Sequence, residues 1–484
     1  MGYLALYAGL LLPWAVGAIW LVTIERRSGP TLAPNLFRQI GYGFFLGYAG
    51  LVLLIKTNHL LTSSVSWSGL MLVLALMAFA GAIFLWRTPT ASMETSTKDI
   101  PRFQNKPLFW FTMLLLGWIT VHLLIYTIDI FTQPVYPWDA WLAWVYRAKA
   151  WFLSGDMTTV VSTAEWLEHS TAGGYTIDAW QYPTLPSIIP YWAALSLGYW
   201  SETLVNVPVL FAALAIGMAL YGQCRENGLS ITAGVLSCYL LYSIPLFGTH
   251  IALAGYADIW MAGFSGLGFI ALMRALVQRS SQPSSRYGLQ MTLAFVFLAL
   301  AVMVKNEGTV WLLAAFGMLI VHSFRARVPI LILVSFGLLV LFGFAFGATH
   351  VSVPLLGTIG LVDGRLVIPF IGNFALELHN IWYVYLTNFF AMGSWNLFWV
   401  LVLAAVAVSV RSNVNPTGTQ VQRIGLSFIC IFLATQVFIF GLTDQGLWAD
   451  TFTAINRLPL HFVPALLFAA LIILDARSNR QTAT

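Results

Sequence analysis

Three acidic residues stand in short segments between long apolar runs: Asp139 in Tyr136-Pro137-Trp138-Asp139, Asp258 after Ala254-Gly255-Tyr256-Ala257, and Glu307 two residues past Lys305. A carboxylate at the edge of an apolar environment can take a proton from a hydroxyl nucleophile, or it can simply cap the helix that follows. Both readings stay open for Asp139 and Asp258. Arg457, one turn before the last apolar run, offers the complementary chemistry, because a guanidinium fork suits a phosphate dianion better than an ammonium does. Lys305 and Glu307 could pair with each other or snorkel at a membrane edge. Arg147 and Lys149 are about 200° apart on a helix, so at most one of them faces a given cavity, and the other meets lipid headgroups. His122 and His461 lie inside apolar runs, where a satisfied core imidazole is the ordinary reading; His169 lies in a loop and could touch a substrate. The chain has no HExxH, Cys/His cluster, GxGxxG or P-loop, so no cofactor is expected and a divalent cation is not favoured.

The elements that must position these groups follow from composition. Of 484 residues only 8% are charged and 59% are hydrophobic, too little polarity to cover a water-soluble surface. The expected class is an all-α polytopic membrane protein, since runs able to cross a ~30 Å hydrocarbon core as helices recur along the chain. About thirteen spans are expected, near 3–23, 38–56, 67–86, 108–131, 203–222, 231–250, 257–275, 289–305, 308–323, 329–349, 385–410, 424–442 and 458–474. Alternate connections carry most of the Lys and Arg, among them Arg26, Arg27, Arg38, Arg87, Lys98, Arg102, Lys106, Arg225, Arg274, Arg325, Arg327 and Arg480. The positive-inside rule makes those connections cytoplasmic, the N-terminus external and the C-terminus internal, and it reads the +5 net charge as topology. The first span is expected to stay as an uncleaved anchor, because its arginines follow the apolar run. Asp139, Asp178, Asp258, Glu307 and most other acids then fall on the outer face with Lys305, Arg147, Lys149 and Arg457. Cys224, Cys238 and Cys430 lie in or beside apolar runs, and no disulfide is expected.

The longest connection, 132–202, is external. Within it Trp141, Trp144, Ala148 and Trp151 recur at helical spacing over 140–153, and a second apolar stretch, TLPSIIPYWAALSLGYW, follows. Both are expected as interfacial helices lying on the outer leaflet.

An acid just after a span, two interfacial helices, a second acid at the head of a later span and a late arginine resemble the membrane glycosyltransferases of the GT-C fold. That superfamily includes protein O-mannosyltransferases and the lipid A aminoarabinose transferase. The likeness is carried by YPWDAW, RAKAWF, QYPTLP, GYADIW, VKNEG and NRLPLHFVPAL, and spans 108–484 as a catalytic membrane domain; 1–107 is then a three-helix extension. The resemblance implies an inverting sugar transfer from a polyprenyl-phosphate donor to an acceptor hydroxyl on a glycan, lipid or protein. The site would lie on the periplasmic side of a bacterial inner membrane. It assigns Asp139 as general base, Asp258 as a catalytic acid that orients the acceptor, Arg457 with Lys305 and Arg147 to the donor phosphate, and Glu307, Tyr182 and Lys149 to substrate. Two rival classes remain: a multi-span lipid transporter or flippase, and a glycan polymerase or ligase centred on Asp363, Arg365 and His379 in 349–381. In the enzyme reading that last segment covers the acceptor side.

Overall fold

The computed structural model describes residues 2–27, 35–88, 106–168, 174–177, 179–281, 285–323, 350–353, 357–362, 365–368, 372–411 and 416–478. The expected span at 329–349 and Lys98, Arg102, His169, Asp178, Arg325, Arg327, Asp363 and Arg480 lie outside the described residues.

Four long apolar helices come first: α1 (Gly2–Arg27), α2 (Leu36–Thr62), α3 (Trp67–Arg87) and α4 (Lys106–Thr132). After them, α5 (Val145–Ser154), α6 (Thr163–Glu168) and α7 (Leu185–Leu197) occupy the long connection, and α8 (Val207–Glu226) returns the chain to the bundle. Between lipid-bathed helices there is no hydrophobic driving force, so close backbone approach must do the work. Gly17, Gly43 and Gly47 provide it: a Cβ on Gly17 would strike the Gly43 carbonyl, and one on Gly47 the Pro13 carbonyl. The other side of α2 packs on α8 in the same way, with Gly41 against Ala215 and Ala219 and Gly222 against Arg38. A buried ion-pair lock closes that end of the bundle. Arg38 holds Glu25 through two bonds of 2.7 and 2.6 Å and Glu226 at 2.6 Å, while Gln39 also reaches Glu25.

The long connection departs from the expected pair of interfacial helices. Residues Ala140–Trp144 form a π turn that runs into α5, and Trp144, Ala148 and Trp151 are buried. Helix α7 is apolar around its whole circumference and buried almost throughout, which is what an all-round apolar helix requires. Trp192 on α7 donates to the Gly9 carbonyl at 2.8 Å, and Trp67 donates to the Ser196 hydroxyl at 2.9 Å. The most exposed aromatics of the connection are Tyr136, Trp138 and Trp141.

Helices α9 (Ile231–Tyr242) and α10 (Pro245–Ala252) meet at a 64° bend, where Pro245 supplies no amide to continue the ladder. Next come α11 (Asp258–Met261), a π turn (Ala262–Gly266) and α12 (Leu267–Ser281), a run buried at every residue from Asp258 to Leu276, then α13 (Ser285–Val302) and α14 (Glu307–Ser323). The C-terminal part holds helices Phe398–Arg411 and Pro416–Gly441, and ends in Ala454–Leu460 and Val463–Ser478, bent by 57° beside Pro459.

Among the described residues seven helices are long and apolar enough to cross a membrane, and nine if each bent pair is one span. The chain is therefore an all-α membrane protein in its main body. The expected spans at 289–305, 308–323 and 385–410 are shorter apolar helices here, the last broken by a turn before Phe398.

The remaining departure is β structure. Val160–Val161 (β1) and Tyr175–Thr176 (β2) pair within the long connection. Strands β3 (His350–Val353), β4 (Gly357–Val362), β5 (Arg365–Ile368) and β6 (Gly372–Ala375) form an antiparallel meander. Alternating Val, Ile and Thr around Asp363-Gly364 are the strand and hairpin signal that a search for apolar runs passes over. The sheet is tied to the segment before Arg457 by the Leu376–Thr443 bridge and the Arg365–Asp444 ion pair at 2.8 Å.

Candidate active site

Asp139 follows Pro137, whose carbonyl accepts the amides of Ala140 and Trp141 and so starts the π turn. The Asp139 side chain makes no capping bond. It reaches instead across 318 positions of sequence to Arg457, whose Nη2 lies 2.6 Å from its Oδ2. Asp258 is likewise the first residue of α11 and caps nothing; its carboxylate is fully buried. Arg457 binds it through Nη2 at 2.7 Å and Nε at 3.3 Å. The capping reading therefore fails for both acids, and the same guanidinium joins them.

Gly255 explains how the two acidic segments come this close. Its φ of +112° is open to glycine and costly for other residues, and a Cβ there would stand 2.6 Å from the Ala140 Cβ and 3.1 Å from Val145. The turn before Asp258 thus lies flat on the turn after Asp139.

Lys305 approaches Asp258 Oδ1 at 3.5 Å and Glu307 at 3.3 Å. Burial alone would lower the Lys305 pKa, but the Asp258 and Glu307 carboxylates outweigh it and raise it above the ordinary lysine value. Tyr182 is pushed up to about 12, first by the Glu307 carboxylate and then by burial, so its phenol stays a neutral hydrogen-bond donor at any working pH. Tyr256 lies under the Arg457 guanidinium, 4.7 Å from ring centroid to Cζ.

Two of the sequence candidates have other partners. Arg147 is buried and donates to the carbonyls of Ala179, Trp180 and Tyr182 at 2.8 to 3.0 Å. Burial lowers its pKa to about 10, which still leaves it a cation at neutral pH. Its donors are aimed at the backbone that carries Tyr182, so Arg147 staples that loop to α5 and is not directed at a phosphate. Lys149 pairs with Glu202 at 2.6 Å, half exposed, beside the Trp200 ring. Arg147→Met is accordingly expected to speed limited proteolysis within 174–184 by about tenfold or more, because three carbonyls of the loop lose the donor that ties them to α5. An unchanged cleavage rate would mean the loop is held by other contacts.

The sequence assigns His250 and Trp311 no role and reads His461 only as a core imidazole. His461 Nε2 is 2.9 Å from Asp258 Oδ1, and Trp311 Nε1 is 3.3 Å from His461 Nδ1. The expected satisfied core imidazole is what stands there, but what satisfies it is the acid of the candidate site. The signal was available: His461 follows Arg457 by four residues, one helical turn along the same face. His250 lies on α10 with Nδ1 3.5 Å from Asp258 Oδ2, its ring 4.6 Å from that of Tyr256. It enters because the bend at Pro245 turns α10 inward, which no spacing rule reveals.

The site thus gathers three carboxylates and two cations around a buried centre. Asp258 is saturated by donors on both oxygens, whereas Asp139 is about a third exposed and its Oδ1 has no partner among the described residues. Arg457 also retains Nη1 without a partner among them. A groove of about 290 Å³ opens nearby, lined by Asp129, Gln133, Tyr136, Ala252 and Leu253, where the segments leading to Asp139 and Asp258 meet. Among the described residues no group of three or more His, Cys, Asp or Glu side chains has the geometry of a metal site. The chain matches no family model, no curated protein and no solved structure.

Proposed function

We propose that this protein is an inverting glycosyltransferase that moves a sugar from a polyprenyl-phosphate donor to an acceptor hydroxyl at the outer face of a membrane. The observation that carries the reading is the convergence of Asp139, Asp258 and Arg457 into one ion-paired cluster. Structural capping alone would leave the three apart.

The free Oδ1 of Asp139 takes the acceptor proton as the acceptor oxygen attacks the anomeric carbon. The bond from that carbon to the phosphate oxygen breaks, and the lipid phosphate leaves with the electron pair. Arg457 through Nη1, with Lys305, offsets the charge that develops on it. Asp258 cannot serve as a base, since both its oxygens are engaged; it fixes Arg457 and the Lys305 ammonium. Tyr182, a neutral donor, and Glu307 face the sugar, and the groove beside Tyr136 admits the acceptor. Orientation with the basic connections inside puts this chemistry where no nucleotide pool exists, so a lipid carries the donor. The inner membrane of a bacterium, with the site on its periplasmic side, fits that requirement.

A transporter reading is favoured by one observation: Arg457 and His250 both come from sharply bent helix pairs, a device that transporters use at their substrate sites. The two readings separate in proteoliposomes supplied with radiolabelled undecaprenyl-phosphate sugars and a mixture of glycan and lipid acceptors. The enzyme reading expects undecaprenyl phosphate to be released with label in the acceptor. Movement of intact donor between leaflets with no such release would replace it by the transporter.

A further inference from the structure

His461 stands in the break between helices Ala454–Leu460 and Val463–Ser478, fully buried, and it touches two polar groups. One is Trp311 of α14, whose indole nitrogen can only donate. At 3.3 Å from Nδ1 that N–H requires a lone pair on Nδ1, so the single imidazole proton is on Nε2. Nε2 faces Asp258 Oδ1 at 2.9 Å and therefore donates to it. Phe462 packs on Trp311 with ring centroids 4.6 Å apart and holds the indole in place.

We propose that His461 is a positioning residue: held as the neutral Nε2–H tautomer by Trp311, it fixes the Asp258 carboxylate so that Arg457 keeps its Nη1 edge free for an anionic oxygen. The proposal rests on the lipid-phosphate reading of Arg457 and deepens it. The carboxylate has two oxygens to distribute. His461 occupies Oδ1, with Lys305 further off at 3.5 Å, and this leaves Oδ2 to accept both Nη2 and Nε of Arg457. If Oδ1 were open, the guanidinium could turn end-on, giving Nη1 to one oxygen and Nη2 to the other, and spend the edge it now keeps. A protonated imidazole would be a poorer positioner, because its Nδ1–H would point at the Trp311 N–H. The charged and titratable groups around the ring are Asp258 on α11, Lys305 before α14, Glu307 on α14, His250 on α10 and Arg457 on its own helix.

Two measurements on the full chain in lipid nanodiscs decide it. With ¹⁵N-labelled histidine, the resonances lost in His461→Gln identify the ring. They are expected to report a neutral Nε2–H tautomer unchanged from about pH 5 to about pH 8, and to change in Trp311→Phe. An imidazolium or an Nδ1–H tautomer in the wild type would overturn the proposal. Binding of undecaprenyl phosphate is the second readout. His461→Gln, whose amide can donate to Asp258 and accept from Trp311, is expected to bind within about twofold of the wild type, and His461→Leu to lose about tenfold or more. Equal losses in the two variants would also overturn it. A wild type that does not bind this lipid removes the donor reading, while the nitrogen spectra still decide the tautomer.

Discussion

Asp139→Asn is expected to lower sugar transfer by about 10² to 10⁴-fold, the usual cost of removing a general base, while leaving fold and lipid-phosphate binding close to the wild type. The separation between rate and structure follows from how the two oxygens are used. Oδ2 accepts from Arg457, and an asparagine carbonyl in the same place can accept that bond. The guanidinium keeps Asp258 as its buried counter-ion, so no cation is stranded. What the substitution removes is the basicity of Oδ1. Thermal unfolding and undecaprenyl-phosphate binding measured on the same preparation establish that the site is intact, and labelled-acceptor formation reads the chemistry. An Asp139→Asn protein that folds, binds the lipid and transfers at the wild-type rate would end the assignment of a base at this position.

How much of this was legible in the sequence depends on the kind of signal. Hydrophobic length alone gives the membrane class, and the helices it marks at α1 to α4 stand where expected. It does not tell a helix that crosses from one that is merely apolar: α7 reads as interfacial because it has aromatic ends, yet it is buried because no face of it is polar. The meander at β3 to β6 is hidden for a related reason, since short Val/Ile runs score as apolar in any window. For the site, Asp139, Asp258, Lys305, Glu307 and Arg457 were found from charge in an apolar context, where an ionisable group needs a partner. Their mutual distances were not, because Gly255, the bend at Pro245 and the break beside His461 set those, and each acts through three-dimensional contact. Arg147 shows the converse. Its charge made it look like a phosphate ligand, but a guanidinium with five donors is as well suited to gathering three backbone carbonyls.

Arg457 is where stability and function are hardest to separate, and where a pair of substitutions can do it. Arg457→Gln leaves the Asp258 carboxylate fully buried with His461 as its one close partner, Lys305 and His250 each standing 3.5 Å away. Stranding a buried charge in this way costs on the order of 3 kcal/mol, so a clear fall in unfolding temperature is expected along with loss of lipid-phosphate binding. Loss of binding alone would then be ambiguous, since a protein loosened around Asp258 could fail for structural reasons. Adding Asp258→Asn removes the stranded charge, and the double variant is expected to recover most of the lost stability, because two residues in direct contact couple strongly. Binding of undecaprenyl phosphate should not return with it. The guanidinium edge that offsets the phosphate is still missing, and Lys305, relieved of Asp258, keeps Glu307 as its partner. A double variant that regained binding together with stability would show that Arg457 is there to neutralise Asp258, and the donor phosphate would have to be sought at another cation.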